Sequence, residues 1–196
     1  MKIFYSDASP YSTKVRMAAL YAGLPAESVA VDTNADPAEL LAANPLGKIP
    51  TLLTDDGLAV YDSRAIMNYI DRQTRGSLYP RNSVKRTEVD VLEATADGVC
   101  DSLLAIVYER RARPEEKIHQ PWIDRQWQKV ERTLDHLEAN MPRLGKKPNA
   151  GHFALAAMLR YIGLRFAGKW QRGRPKLKRY LARFEAVFPD YAKFKD

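Results

Sequence analysis

The predicted secondary structure changes abruptly near residue 77, and this change most constrains the fold of the chain. Residues 1–77 alternate between short β-prone runs and amphipathic helical patterns, in the order β-α-β-α-β-β-α. That order fits a small mixed sheet with helices packed against it. Residues 84–196 contain helical patterns and no convincing strand. We therefore predict an α/β domain over 1–77 and an all-α domain over 84–196.

The predicted boundaries follow from turn residues, helix caps and apolar periodicity. Strands are predicted at 2–5, 28–31, 51–53 and 58–60. Helices are predicted after the caps at residues 9 and 62, from residue 121, and over 37–42, 84–110, 149–166 and 176–184.

The composition excludes some classes of protein. Of the 196 residues, 45% are apolar, which is enough for a sizeable core, and no apolar run approaches the ~20 residues of a membrane span. Cys100 is the only cysteine, which excludes an intrachain disulfide. Because the first residues show no secretory signal, we expect a cytoplasmic protein without a membrane partner.

The net charge of +7 comes from the C-terminal quarter of the chain. Residues 141–196 hold 14 basic and 3 acidic side chains, whereas the preceding residues are slightly acidic. Such a cluster can contact nucleic acid, lipid or acidic ligands, and Trp170 could stack on a base. A solvated loop and helix is the simpler interpretation, so we do not expect a nucleic-acid partner.

Ser9 stands directly before Pro10 at the start of a helical pattern. Serine is a favoured N-cap, and proline is well tolerated at the first helical position. A helix N-terminus has free N–H groups and the positive end of the helix dipole, so it stabilises an anion. The stretch therefore indicates either an ordinary cap or an anion site.

Two further stretches indicate binding of an extended peptide. If the Ile49-Pro50 bond is cis, it turns the Ile49 N–H and C=O outward, where a peptide can pair with them as an added strand. Asp62 and Ser63 open a helix whose N-terminus suits a carboxylate, while Asp62 can hold an ammonium group. The alternatives are an ordinary loop proline and an ordinary helix cap.

Three stretches together resemble the glutathione-binding domain of cytosolic glutathione transferases, in the serine-type, bacterial form. They are SPYS at 9–12, NPLGKIP at 44–50 and DSRAI at 62–66. The segment 86–101, RTEVDVLEATADGVCD, resembles the first helix of that family's all-α domain. The resemblance spans nearly the whole chain. It implies a thioredoxin-like N-terminal domain, an all-α C-terminal domain and a homodimer.

The resemblance also implies the roles of individual residues. Ser9 supplies the hydroxyl that activates the thiol of glutathione, the co-substrate. Ile49, before Pro50, pairs with the cysteinyl backbone, and Asp62 and Ser63 hold the γ-glutamyl end. The second substrate is an electrophilic small molecule. No metal is expected, because the three histidines lack the spacing of metal ligands.

The residues around Ser9 narrow its chemistry. Ser9 and Ser12 stand where glutaredoxins have the two cysteines of CPYC, so dithiol exchange at this site is excluded. No base lies nearby in sequence to make Ser9 an alkoxide. The remaining role is a hydrogen bond to a thiolate, which with the helix dipole lowers the thiol pKa from about 8.5 towards or below neutrality. Tyr5 is the alternative donor, since some transferase classes use a tyrosine at the end of the first strand.

The electrophile pocket is predicted between the two domains, because the long helix from Val84 should face the site. Tyr11, Leu104 and Tyr108 are its candidate lining residues. For each of them, an ordinary core or surface position is the alternative. Val84 and Val91 belong to the same apolar pattern.

The start of the helix near residue 150 departs from the family pattern. His152 stands where a capping-box aspartate is usual, so we expect a weaker helix start after Asn149. Gly151 adds a cost of about 1 kcal/mol relative to alanine.

Three functions remain open at this stage. The first is a glutathione transferase. The second is glutathione-dependent peroxide reduction or isomerisation, which uses the same thiolate. The third is a non-catalytic binding or regulatory protein with the same fold. Retention of the complete glutathione-binding set favours an enzyme, because a scaffold does not need all of these residues.

Overall fold

The computed structural model describes residues 1–195, which contain four β-strands and seven α-helices. The strands are β1 (Lys2–Tyr5), β2 (Glu27–Ala30), β3 (Thr51–Leu53) and β4 (Ala59–Val60). The helices are α1 (Pro10–Ala22), α2 (Ala38–Ala43), α3 (Ser63–Gln73), α4 (Ser83–Ala112), α5 (Gln120–Ala139), α6 (Ala150–Arg165) and α7 (Pro175–Val187). A 3₁₀ segment at Pro189–Phe194 follows α7.

All four strands form one mixed sheet in the order β2-β1-β3-β4. β1 runs parallel to β2 and antiparallel to β3, and β3 returns to β4 through a hairpin. Gly57 in that hairpin has a φ of 86°, a conformation that glycine adopts at no steric cost. With α1 and α3 packed on each other, this is the expected thioredoxin-like α/β domain, and the described residues beyond it, up to 195, are all-α.

α1 lies between the sheet and the C-terminal helices. Ser9 is its N-cap, Pro10 lies in its first turn, and Gly23 ends it with a φ of 71°. The buried residues of the helix include Ser12, Lys14, Val15, Met17 and Ala18. Because α1 contacts both α3 and α6, it joins the two parts of the fold.

α6 is the central helix of the all-α part. Ten consecutive residues, 150 to 159, are buried, and the helix packs against α1, α4 and α7. A helix that is apolar on every side is typical of a core. Across residues 1–195, no helix combines the length and the apolar character that a bilayer span requires.

Most predicted boundaries are displaced by one to three residues. β2 begins at Glu27 rather than at residue 28, because the Glu27 N–H bonds to the Met1 carbonyl at 2.9 Å and extends the ladder. Pro37 caps α2 instead of belonging to it. α7 continues to Val187, three residues beyond the predicted end.

Some residues of the apolar pattern of α4 are exposed to solvent. Val84 and Val91 are 67% and 58% exposed, although the periodicity groups them with core residues. Seven residues apart, they lie on the same side of the helix. Tyr108 is 56% exposed because it faces an open cavity, described below.

The start of α6 has both hydrogen bonds of a capping box, contrary to the sequence-based expectation. The Asn149 side chain accepts from the His152 N–H at 3.2 Å, and His152 Nδ1 accepts from the Asn149 N–H at 3.1 Å. A neutral imidazole can accept at Nδ1 as a carboxylate does. Burial lowers the pKa of His152, partly opposed by a hydrogen bond to the Arg143 backbone, and therefore favours the neutral form.

Gly151 marks a close approach between α6 and α4. A Cβ on Gly151 would lie 2.9 Å from Cβ of Leu92, closer than real Cβ atoms approach. Packing therefore requires a glycine here, and the fold tolerates the low helix propensity of glycine for the sake of this close approach.

The Gly151 contact predicts opposite effects for two glycine-to-alanine substitutions. Gly151→Ala should lower the free energy of unfolding by about 1–3 kcal/mol, because the added methyl group overpacks the interface. Gly98 is an exposed residue of α4, and a Cβ added there would have no packing partner within 4 Å. Gly98→Ala should therefore raise the free energy of unfolding by about 0.5–1 kcal/mol. Urea denaturation measures both, and a neutral or stabilising Gly151→Ala contradicts the close approach.

The His152 cap predicts a pH-dependent stability. The pKa of His152 is lower in the folded protein than the ~6.5 of an unfolded chain, so the unfolded state binds the proton first. The stabilisation is complete above about pH 6.5 and declines as the pH falls. His152→Gln keeps an acceptor that does not titrate and should flatten this decline, whereas exposed His136→Gln should not. Equal slopes for the two variants in denaturation from about pH 7 to 5 would refute this account.

Candidate active site

A cavity of about 990 Å³ lies between the thioredoxin-like domain and α4. All eight site residues predicted from the sequence line it: Ser9, Tyr11, Ile49, Pro50, Asp62, Ser63, Leu104 and Tyr108. The fold therefore brings together side chains from four separate segments of the chain. Their chemical roles stay predictions.

Ser9 is held at the cavity wall by the first turn of α1. Its Oγ accepts a hydrogen bond from the Ser12 N–H at 3.2 Å, and its carbonyl accepts from Thr13 Oγ1 at 3.0 Å. Within residues 1–195, the Ser9 O–H and the Tyr11 N–H have no acceptor. A hydroxyl that already accepts one bond can still donate one. The two free donors at this helix end can therefore bind an anion.

The other candidate groups near this turn are placed differently. Tyr5 does not line the cavity, and its ring lies 3.6 Å from the guanidinium carbon of Arg16. Ser12 is fully buried. Cys100 is also buried, and burial raises the pKa of its thiol well above the usual value, so this thiol stays protonated. Among these groups, Ser9 is the one that reaches the cavity.

The loop before β3 presents the backbone of Ile49 to the cavity. The Ile49-Pro50 bond is cis. Buried Asn44 organises the loop: its amide donates to the Lys48 carbonyl and to Thr51 Oγ1, each at 3.0 Å, and its carbonyl oxygen accepts from the Leu46 N–H. Within residues 1–195, the Ile49 N–H and C=O have no partner. This short edge is therefore open to an extended peptide.

The N-terminus of α3 forms the third wall. Asp62 is the N-cap, and its Oδ1 accepts from the Arg64 N–H at 3.0 Å and the Ala65 N–H at 3.5 Å. Ser63 is largely buried, but the residue still lines the cavity. A carboxylate can contact the N–H and hydroxyl of Ser63, while the second oxygen of Asp62 can accept from an ammonium group.

α4 supplies the opposite wall. The Tyr11 hydroxyl donates a hydrogen bond to Asp101 of α4, and burial together with this bond raises the pKa of Tyr11. Tyr11 therefore remains a protonated phenol across the boundary of the two domains. Leu104 and Tyr108 follow on the same side of the helix, one and two turns further along.

A buried ionic cluster adjoins the cavity. Lys14 of α1 is completely buried, and its ammonium group contacts Glu93 Oε1 at 3.0 Å and Asp97 at 2.8 Å. Arg64 Nε contacts Asp97 Oδ2 at 3.1 Å, and the Tyr79 hydroxyl donates to Glu93 Oε2 at 2.6 Å. Two cations and two carboxylates thus neutralise each other where α1, α3 and α4 meet.

Sequence reasoning missed this cluster, although it left a signal. Lys14 precedes buried Val15 and lies one turn before buried Ala18, so the buried stripe of α1 contains a charge. Glu93 and Asp97 occupy similar positions among the buried residues of α4. One cation and two anions at core positions of different helices indicate an ion pair, because an unpaired buried charge is very costly.

Comparison with known proteins identifies the family. The family model described as "Glutathione S-transferase, N-terminal domain" matches residues 8–73. The family model described as "Glutathione S-transferase, C-terminal domain" matches residues 120–183. The uncharacterized GST-like protein YibF of Escherichia coli K12 is 33% identical over 183 residues, which cover 90% of each chain. The chain belongs to the glutathione S-transferase family, which confirms the resemblance seen in the sequence.

Two solved structures extend the comparison. A glutathione S-transferase from Methylobacillus flagellatus KT, crystallised with GSH bound, is 35% identical with a TM-score of 0.87 and covers 96% of this chain and 97% of its own. A glutathione transferase family member from Pseudomonas fluorescens Pf-5, with bound S-(propanoic acid)-glutathione, is 30% identical with a TM-score of 0.81 over 94% of both chains.

The ionic cluster predicts a large loss of stability for one buried lysine. Lys14→Met leaves Glu93 and Asp97 without their shared cation and should lower the free energy of unfolding by about 3–5 kcal/mol. Lys2→Met removes an exposed ion pair with Glu39 and should change stability little. Chemical denaturation compares the two variants. A Lys14→Met protein as stable as the Lys2→Met control would show that the cluster does not hold the helices together.

Proposed function

We propose that this protein is a glutathione transferase that binds glutathione as a thiolate and directs it at an electrophilic small molecule. The observation that carries the proposal is the set of free donors at one cavity wall, the Ser9 O–H and the Tyr11 N–H at the N-terminus of α1. Hydrogen bonds from these donors, together with the helix dipole, stabilise the charged sulfur. The thiol proton leaves to solvent.

The other cavity walls support an extended tripeptide in one orientation. The open backbone edge of Ile49 suits the cysteinyl residue, with Pro50 forming the wall beneath it. Asp62 and Ser63 suit the ammonium and carboxylate groups of the γ-glutamyl end. With the γ-glutamyl end and the cysteinyl backbone fixed, the sulfur lies beside Ser9 and faces Tyr11, Leu104 and Tyr108, where the electrophile binds.

Ser9 acts as a hydrogen-bond donor in this proposal and not as a nucleophile. The thiolate forms the S–C bond, and the bonding electrons leave with the displaced group or move onto an activated carbon that takes a proton from water. Electrostatic stabilisation of the anion is the term that a fixed donor supplies. GSH bound in the M. flagellatus relative and S-(propanoic acid)-glutathione bound in the P. fluorescens relative support the choice of co-substrate.

The same thiolate also serves the second candidate, glutathione-dependent peroxide reduction or isomerisation. A non-catalytic binding protein is the third, and the open donors at Ser9 and Ile49 argue for the enzyme. We further propose a homodimer, which the exposed Val84 and Val91 on one side of α4 support, and a cytoplasmic location.

The proposal predicts a specific loss of activity at Ser9. Ser9→Ala should lower kcat/KM for conjugation of a generic aromatic halide about a hundredfold, because one anion donor is lost. It should also raise the pKa of bound glutathione towards the ~8.5 of a free thiol. Thiolate absorbance in the ultraviolet, titrated on the bound complex, measures this pKa.

Two controls accompany the Ser9 variant. Ser12→Ala removes a buried hydroxyl outside the cavity and should leave the pKa of bound glutathione unchanged. Tyr5→Phe tests the alternative donor. If Tyr5→Phe abolishes turnover and Ser9→Ala does not, the assignment is wrong. If the wild-type protein binds glutathione with the pKa of the free thiol, the thiolate mechanism is wrong.

A further inference from the structure

Two arginines line the end of the cavity that belongs to the helical domain. Arg111 lies in the last turn of α4, and Arg165 lies in the last turn of α6. Both arginines line the same cavity as Ser9, and both are exposed. Neither residue is part of the glutathione-binding set proposed above.

Neither arginine has an acidic partner within residues 1–195. The nearby acids of the cavity wall are already engaged, since Asp97 contacts Lys14 and Arg64, and Asp101 accepts from Tyr11. The helical end of the cavity therefore carries uncompensated positive charge.

The wall between Ser9 and the arginines is largely apolar and aromatic. It consists of Leu104, Ala105, Val107, Tyr108 and Tyr161. Burial raises the pKa of Tyr161 to about 12, and the positive charges of Arg165 and Arg111 oppose that rise. Arg111, Arg165 and Tyr161 all line this part of the cavity, which the ends of α4 and α6 form.

We propose that the electrophile of this enzyme is an acid: an apolar or aromatic body with a carboxylate or similar anionic group, which Arg111 and Arg165 bind. The inference rests on the proposed transferase function. Guanidinium groups present several donors in a planar fork that matches a carboxylate. With the anionic group at the arginines and the body along Leu104 and Tyr108, the reactive carbon points towards the sulfur at Ser9.

The competing occupant of the two arginines is glutathione itself, which has a second carboxylate on its glycyl residue. Lys48 is the better candidate for that group. It lines the cavity directly beside Ile49, is exposed, and has no side-chain partner within residues 1–195. The two arginines lie on the other domain.

A matched pair of substrates isolates the charge. The chlorodinitrobenzoate with chlorine para to its carboxylate and the methyl ester of the same acid have the same leaving group and differ in one negative charge. In both reactions the thiolate sulfur bonds to the ring carbon that bears chlorine, and chloride leaves with the bonding electrons. The products are the aryl thioether and chloride, and the thiol proton is released to solvent.

The variants are Arg111→Gln, Arg165→Gln and the double variant. Arg110→Gln is the control, because Arg110 is an exposed neighbour of Arg111 that does not line the cavity. We expect the double variant to lower kcat/KM for the acid about tenfold or more and for the ester less than twofold, as charge-assisted hydrogen bonds are lost. Arg110→Gln should leave both unchanged.

A binding arm separates this inference from the proposed function. The unreactive dinitrobenzoate and its methyl ester are titrated calorimetrically, with and without saturating glutathione. If the double variant binds the acid more weakly but the ester as before, and if binding of the acid to the wild-type protein weakens with salt, the inference is supported even when no conjugate forms. The lack of conjugate then refutes only the transferase proposal. Equal effects on acid and ester, no effect on either, or an increased Kd for glutathione overturn the inference.

Discussion

The position of α1 relative to α4 depends on three buried charges, those of Lys14, Glu93 and Asp97. Lys14 enters the interior from α1 and meets Glu93 and Asp97 of α4 at hydrogen-bonding distances. Removing these groups from water is unfavourable, and the penalty is offset only when every charge has its partners. That requirement tolerates little displacement. The two helices are therefore fixed relative to each other by geometry more strict than apolar packing alone imposes.

This constraint extends to the chemistry, because each helix of the cluster also contributes to the cavity. α1 carries Ser9 one turn before Lys14, and α3 carries Arg64 directly after Asp62 and Ser63. The donors proposed for the sulfur and the groups proposed for the γ-glutamyl end are therefore built on helix ends tied to the same charges. Helix N-termini suit anions, and here two of them line one cavity.

The local features of the sequence predicted most of the fold and the cavity. Ser9, Pro10, Gly23 and Gly57 act through their own backbone conformations, which need no knowledge of the tertiary structure. The cluster around Lys14 was missed, because its members lie some 80 positions apart and make sense only as a set. His152 was recognised as a departure, but its imidazole nitrogen replaces the usual carboxylate oxygen, which a residue-type pattern does not reveal.

α4 is a single helix of 30 residues whose side chains make different kinds of contact along its length. Asp97 belongs to the internal charges, whereas Arg111 lies about 21 Å further along the helix axis. Side chains near the far end can therefore be exchanged during evolution without disturbing the ionic cluster or the cavity walls formed by the ends of α1 and α3. Under the proposed function, evolutionary divergence in the electrophile would therefore be concentrated in the last turns of α4, while the nucleophile is inherited unchanged.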